Sequence, residues 1–288
     1  MPSAPATSTL YISDLDGTLL KPDASLPPTS RALLNELISE GLTFSVASAR
    51  SVVSIQNVLQ GLRLKLPVIE FNGAFASDLE TGRHEFVNAI DSEIAADVFA
   101  MIRDAGRLPL VSSFDGTSDW VSHGRASNEG EHYYLTERRS KQDPRLREMR
   151  TPSRVLGEQV VCLTVIGEPE PLQTLEIAIR ERHANLVEIH LFENSYSPGW
   201  YWLTIHDHRA TKDQAVKRLM NTYGLEGHEL VAFGDQINDI KLFQIATHAI
   251  AVANAVDPLK AHATEIIGSN EEDSVVEFIV DHHSRRTK

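Results

Sequence analysis

Cysteine is almost missing from this chain of 288 residues. Cys162 is the single one, which excludes an internal disulfide and points to a reducing, cytoplasmic setting. Positive charge is scarce as well. Lys and Arg number 27 against 40 Asp and Glu, a formal net charge of −13. That balance argues against a nucleic-acid backbone or a membrane surface as partner. No apolar run approaches the roughly 18–20 residues that span a bilayer. The stretch from Met1 to Thr9 has no basic residue and no apolar core, so it reads as a loose tail and not a signal peptide. The Gly-x-x-x-x-Gly-Lys-Ser/Thr, Gly-x-Gly-x-x-Gly, Gly-x-Ser-x-Gly and His-Glu-x-x-His signatures are all absent. Their absence removes the usual P-loop, dinucleotide-binding, α/β-hydrolase and zinc-peptidase chemistries.

What is present is an ordinary globular composition, 42% hydrophobic and 23% charged, long enough for one large or two modest domains. Buried-strand runs at Leu10–Ile12, Leu42–Ala47 and Pro67–Phe71 alternate with amphipathic stretches. One of these carries Leu33, Leu34, Leu37 and Ile38 at helical spacing and ends at Gly41. The last third repeats the alternation, with strands at Leu230–Phe233 and Ala249–Ala253 and helices at Thr211–Tyr223, Asp239–Ala246 and Ser274–Val280. This order predicts an α/β fold, a doubly wound parallel sheet built from residues 1–85 and 204–288. Residues 86–203 read differently. A hairpin signal at Asp115-Gly116, a polar stretch at 127–150, helices and further strands there predict an inserted α+β domain.

Four short segments carry chemistry. Asp14-Leu15-Asp16-Gly17-Thr18 follows the first strand, placing two carboxylates where open α/β sheets bind ligands. Leu19 and Ser25 stand where a calcium loop needs glycine and glutamate, which rejects that reading. Gly234-Asp235-Gln236-Ile237-Asn238-Asp239 follows another strand and offers hard oxygen ligands of the kind Mg²⁺ takes, or simply a helix cap. Ser48-Ala49-Arg50 opens a helix with a hydroxyl and free N–H groups suited to a phosphate oxygen. Lys212 sits at a helix start, where the dipole disfavours a cation and an anionic partner would account for it. His206-Asp207-His208 is read as loop residues and Cys162 as a small core residue.

In order and context these four segments resemble the motifs of the haloacid dehalogenase (HAD) superfamily of phosphatases. Ile69-Glu70-Phe71-Asn72-Gly73-Ala74, Ala251-Val252-Ala253-Asn254-Ala255 and Glu271-Glu272-Asp273-Ser274-Val275 are similar to further signatures of its Cof-like subfamily. The insert stands where that group carries a C2 (type IIB) cap on a Rossmann-like core. The resemblance implies an Mg²⁺-dependent phosphatase in which Asp14 is the nucleophile, forming an aspartyl-phosphate, and Asp16 the acid and base. It further implies a metal held by Asp14, the Asp16 carbonyl and Asp235, with Asp239 acting through water or orienting Lys212. Leu15, Ser48, Ala49, Lys212 and Asn238 would cradle the phosphoryl group. Arg50 would pair with an acid near the site. The chain departs from the pattern at Ala49, Asp213 and Ser274, where Gly is usual, and at Ser48, where Thr is usual.

The implied substrate is a small phosphorylated metabolite, with sugar phosphates foremost. A nucleotide or cofactor phosphatase and a phosphomannomutase-like mutase are the alternatives, and no segment signals the second phosphate site that a mutase needs. Trp120, Tyr133, Tyr134, Trp200, Tyr201 and Trp202 could stack on a sugar face, although Trp200-Tyr201-Trp202 reads better as strand packing. Nothing marks a dimer surface.

Overall fold

The computed structural model describes residues 8–194 and 197–286, and the chain divides into two compact units. One unit comprises the residues up to Phe86 together with those from Ala210 onward; the other is Val87–Arg209.

The first unit begins with strand β1 (Thr9–Ser13), buried from its second residue as a central parallel strand must be. Helix α1 (Pro28–Glu40) starts on proline and stops at Gly41 in the left-handed region, φ 113°. Strand β2 (Thr43–Val46), helix α2 (Val52–Val58) and strand β3 (Val68–Glu70) follow. Strands β4 (Phe75–Ser77) and β5 (His84–Val87) then complete a small three-stranded sheet, β3-β4-β5, that the sequence pattern does not announce. Pro67–Phe71 is therefore not a full member of the parallel sheet. It touches that sheet through one parallel bridge, Ala47 to Ile69, and its ladder partner is the antiparallel β4.

The second unit runs through α3 (Ser92–Asp104), β6 (Leu110–Phe114), β7 (Asp119–His123), α4 (Glu129–Ser140), β8 (Leu146–Glu148) and α5 (Pro152–Leu156). It continues through β9 (Gln159–Gly167), α6 (Pro169–His183), β10 (Val187–Glu193) and β11 (Tyr201–Asp207). The six strands form one sheet in the order β10-β11-β9-β6-β7-β8. Helices α3 and α6 supply Val98, Ile102, Leu172 and Ile179 to a core shared with Leu163, Val165, Leu203 and Ile205 of the sheet. Trp202 is buried with Leu110, Leu135 and Ile166, and Trp200 lies against that group, so both serve as strand packing. His206 and Asp207 are not loop residues. They are buried and end β11, because the ladder to β10 continues through Glu188 and Val187. The boundary expected at 203/204 accordingly falls inside a strand.

The chain returns to the first unit with α7 (Lys212–Tyr223), β12 (Glu229–Gly234), α8 (Ile240–Ile245), β13 (His248–Ala251), α9 (Asp257–Lys260), β14 (Glu265–Ile266) and α10 (Ser274–Arg286). Its five-stranded sheet has the order β14-β13-β12-β1-β2 and is parallel throughout. From β1 the chain winds one way to β2. From β12 it winds the other way to β13 and β14. The direction reverses between β1 and β12, where doubly wound sheets open a crevice at their carboxyl ends. No helix among the described residues is long and apolar enough to cross a membrane.

Candidate active site

The two neighbouring strands at that reversal deliver the acidic loops. Ser13 is in register with Phe233, so β1 hands over to Asp14 beside the end of β12, and the Asp14 N–H donates to the Phe233 carbonyl at 3.0 Å. Asp235 follows Gly234 at the end of β12. Thr18 Oγ1 donates to Asp235 Oδ1 at 3.2 Å, closing the first loop onto the second. Gly17 is required there. Its φ is 73°, and an added Cβ would lie 2.4 Å from Asp235 Oδ2.

Lys212 reaches into this crevice from the first turn of α7. Its ammonium donates to Asp14 Oδ1 at 2.7 Å and to Asp239 Oδ1 at 2.6 Å, and all three residues are buried. The other oxygen of Asp239 accepts from the N–H groups of Asp235 and Gln236, both at 3.1 Å. Asp239 is thus occupied in orienting Lys212 and the β12 loop. Ligand atoms of Asp14, Asp235 and Asp239 lie within 4.8 Å of one another.

Electrostatically the cluster is short of positive charge, with three carboxylates around one ammonium. Burial pushes the Asp14 carboxyl well above its ordinary range, Asp239 and Asp235 add to the rise, and Lys212 opposes it. Asp235 is pushed up to about 6 by burial and then by Asp239. Burial works against the charged form of Lys212, yet Asp14 and Asp239 hold its pKa above the ordinary lysine value. A divalent cation fits such a set. The oxygen donors are hard, two of the carboxylates have spare lone pairs, and the charge deficit is local.

Asp16 stands apart from the cluster. Its side chain is half-exposed and gripped bidentately by Arg50, with Nε 2.6 Å from Oδ2 and Nη2 2.5 Å from Oδ1. Arg50 also donates to Ser54 Oγ at 2.9 Å. Ser48 is buried beyond the end of β2, and its hydroxyl oxygen accepts from the Arg50 N–H at 3.1 Å. The N–H groups of Leu15 and Ala49 find no acceptor among the described residues, so both remain available as donors. Asn238 donates through Nδ2 to Asn72 Oδ1 at 3.0 Å.

Several supporting residues lie outside the four chemical segments. Asn254 donates to the Gly17 carbonyl at 2.7 Å and accepts from the Asn270 N–H at 3.0 Å, while Asn270 Nδ2 donates to the Leu20 carbonyl at 2.8 Å. Together they fasten the Asp14–Leu20 loop from the far side. Buried Glu70 accepts from the Val52 N–H and from Ser77 Oγ, pinning the start of α2 to β4. Glu70 and Asn254 lie in segments already marked by resemblance, although their partners were not legible there, and nothing in the sequence marked Asn270.

The family model of haloacid dehalogenase-like hydrolases matches residues 11–279. The chain belongs to that family. It is similar to the 5-amino-6-(5-phospho-D-ribitylamino)uracil phosphatase YitU of Bacillus subtilis, 23% identical with 96% of this chain and 97% of the relative covered. It is also similar to the pyridoxal phosphate phosphatase YbhA of Escherichia coli, 25% identical with 96% and 99% covered. In fold it resembles the HAD subclass IIB sugar phosphatase BT4131, with a TM-score of 0.71, 18% identity and 96% and 99% of the two chains covered.

Proposed function

We propose that this chain is an Mg²⁺-dependent phosphomonoesterase of small phosphorylated metabolites, working through an aspartyl-phosphate in the reducing interior of the cell. The observation that carries the reading is the buried Lys212 ammonium bridging Asp14 and Asp239, beside Asp235 at the strand-order reversal.

A carboxylate is a weak nucleophile and repels a phosphate dianion, so the residues around it must offset that repulsion. Lys212 favours the ionised form of Asp14 against its burial and fixes the oxygen it holds. Asp14 attacks phosphorus in line, and the bond to the leaving oxygen breaks with its electron pair passing to that oxygen. Asp16 supplies the proton. It then takes a proton from water, whose oxygen attacks phosphorus and releases Asp14 and inorganic phosphate. Arg50 grips both oxygens of Asp16 at the rim, so Asp16 must leave that grip and take a proton from solvent before it acts as the acid. The N–H groups of Leu15 and Ala49, the Ser48 hydroxyl and the Asn238 amide donate to phosphoryl oxygens. Mg²⁺ held by Asp14, Asp235 and the Asp16 carbonyl would supply the remaining positive charge.

The substrate class is supported by the relatives, whose names give a ribityl phosphate and pyridoxal phosphate as their substrates. A panel of sugar phosphates, pyridoxal phosphate and nucleotides, assayed for phosphate release, tests the reading. Turnover is expected to need Mg²⁺, to stop on chelation, and to fall at least about a thousandfold in Asp14→Asn. Full turnover in Asp14→Asn, or without a divalent cation, would overturn it. A requirement for a sugar bisphosphate would redirect the assignment to a mutase.

A further inference from the structure

Between β3 and β4 the backbone does something unusual. Phe71, Asn72 and Gly73 have φ values of 48°, 56° and 118°, three left-handed residues in succession. That region is costly for a residue with a Cβ, least so for Asn, and a run of this kind persists only where its surroundings hold it. The surroundings here belong to the site. The Phe71 N–H donates to the Arg50 carbonyl at 3.0 Å and the Asn72 N–H to the Ser48 carbonyl at 2.9 Å. A Cβ at Gly73 would lie 2.6 Å from the carbonyl oxygen of Thr211, the residue before Lys212, so only glycine allows the approach. The turn therefore rests on the segments that carry Ser48, Arg50 and Lys212.

Asn72 links this turn to the Gly234–Asp239 segment. Its Oδ1 accepts from Asn238 Nδ2 at 3.0 Å, which sets the face of both amides. The Asn72 NH₂ group has no hydrogen-bond partner among the described residues, although the residue is half-buried. A neutral double donor, locked by its own oxygen and standing between the Ser48 backbone and the Asn238 side chain, matches the acceptor oxygens of a phosphoryl group. We propose that Asn72 is a phosphoryl-binding residue, and that the left-handed Phe71–Asn72–Gly73 turn exists to hold its amide in place. The inference rests on the phosphatase reading and adds to it a ligand contact outside the four motifs.

The test is titration calorimetry of the full chain with inorganic phosphate in the presence of Mg²⁺, accompanied by thermal melts. Asn72→Gly keeps a residue at ease in the left-handed region and removes both the NH₂ donors and the Oδ1 acceptor that holds Asn238. Asn72→Asp keeps the Oδ1-type acceptor for Asn238 and replaces the donors with negative charge. Ser48→Ala serves as a reference for a lost hydroxyl contact. Loss of one hydrogen bond to a charged oxygen predicts a dissociation constant for phosphate about tenfold or more weaker in Asn72→Gly, with the melting temperature held. Asn72→Asp is expected to be weaker still. Wild-type affinity in Asn72→Gly, while Ser48→Ala loses affinity, would overturn this proposal and leave the phosphatase reading standing. A wild-type chain that neither binds phosphate nor hydrolyses a phosphomonoester would overturn both.

Discussion

Lys212 is the residue on which the acidic crevice depends. A fully buried ammonium at the start of a helix opposes the dipole and loses its hydration, and only its two carboxylate partners offset those costs. Replacing it by Met leaves Asp14 and Asp239 buried with no cation between them. Breaking a buried pair in this way costs about 3–5 kcal/mol. Denaturant unfolding of metal-free Lys212→Met should show a loss of that order, and the variant supplied with Mg²⁺ should lose turnover. Adding Asp14→Asn on top should recover part of the stability, because one of the stranded charges is gone. If the second substitution recovers nothing, the two side chains are not coupled as the 2.7 Å contact indicates.

At the scale of elements, the parallel sheet was readable because its strands are continuous buried runs and its helices are amphipathic. Asp14, Ser48 and Asp235 could be placed because each follows such a run. Short elements were not readable. Strands β4, β8 and β14 have three, three and two residues, too few for a period to show. The grip of Arg50 on Asp16 joins residues 34 apart in the chain, so only its existence, and not its partner, could be inferred from residue type. His206 was misread for a related reason: a polar residue near a helix suggests a loop, whereas the β11 ladder carries it into the core. That burial has a measurable consequence. His206 Nδ1 lies 3.2 Å from the Val161 carbonyl and Nε2 lies 3.5 Å from Cys162 Sγ. Burial, with His190 nearby, pushes its pKa down to about 3. An unfolded chain takes up this proton near its ordinary value of 6.5, while the folded chain does not. The His206 contribution to stability therefore falls as pH drops below 6.5, by about 2 kcal/mol at pH 5, while the raised Asp14 and Asp235 carboxyls act in the opposite direction. Urea unfolding between pH 7 and 5 should give His206→Gln a slope shifted from that of wild type by this amount, towards greater stability at pH 5. Identical slopes would assign the loss to other groups.

For the molecule as a whole, the two units hold separate cores. Leu10, Phe44, Phe233 and Ile279 belong to one, and Val98, Leu163, Ile179 and Leu203 to another. In the sequence, the change of pattern falls at residue 86 because the strand–helix alternation is followed by a segment with a hairpin signal at Asp115-Gly116. The return was harder to place, because β11 leads towards α7 with no glycine- or proline-rich linker between them. The structure gives the exit a definite physical position. Strand β11 pairs with β10 as far as Asp207, and Asp207 accepts from the Arg209 N–H at 2.9 Å and its Nε at 2.6 Å. A fragment ending at residue 203 loses Thr204, Ile205, His206 and Asp207 from the ladder. Opposite them, Val187, Glu188, Ile189 and His190 of β10 lose their partners, and so do Leu163 and Thr164 of β9. Buried Ile205 also leaves the core. Removing one such side chain costs about 2–5 kcal/mol, which a unit of this size cannot spare. Residues 87–209 expressed alone should therefore unfold cooperatively, with dispersed amide resonances, whereas 86–203 should be soluble only as a loosely packed or aggregating species. If both fragments melt alike, the last four residues of β11 contribute nothing to the unit, and its boundary lies nearer to 203.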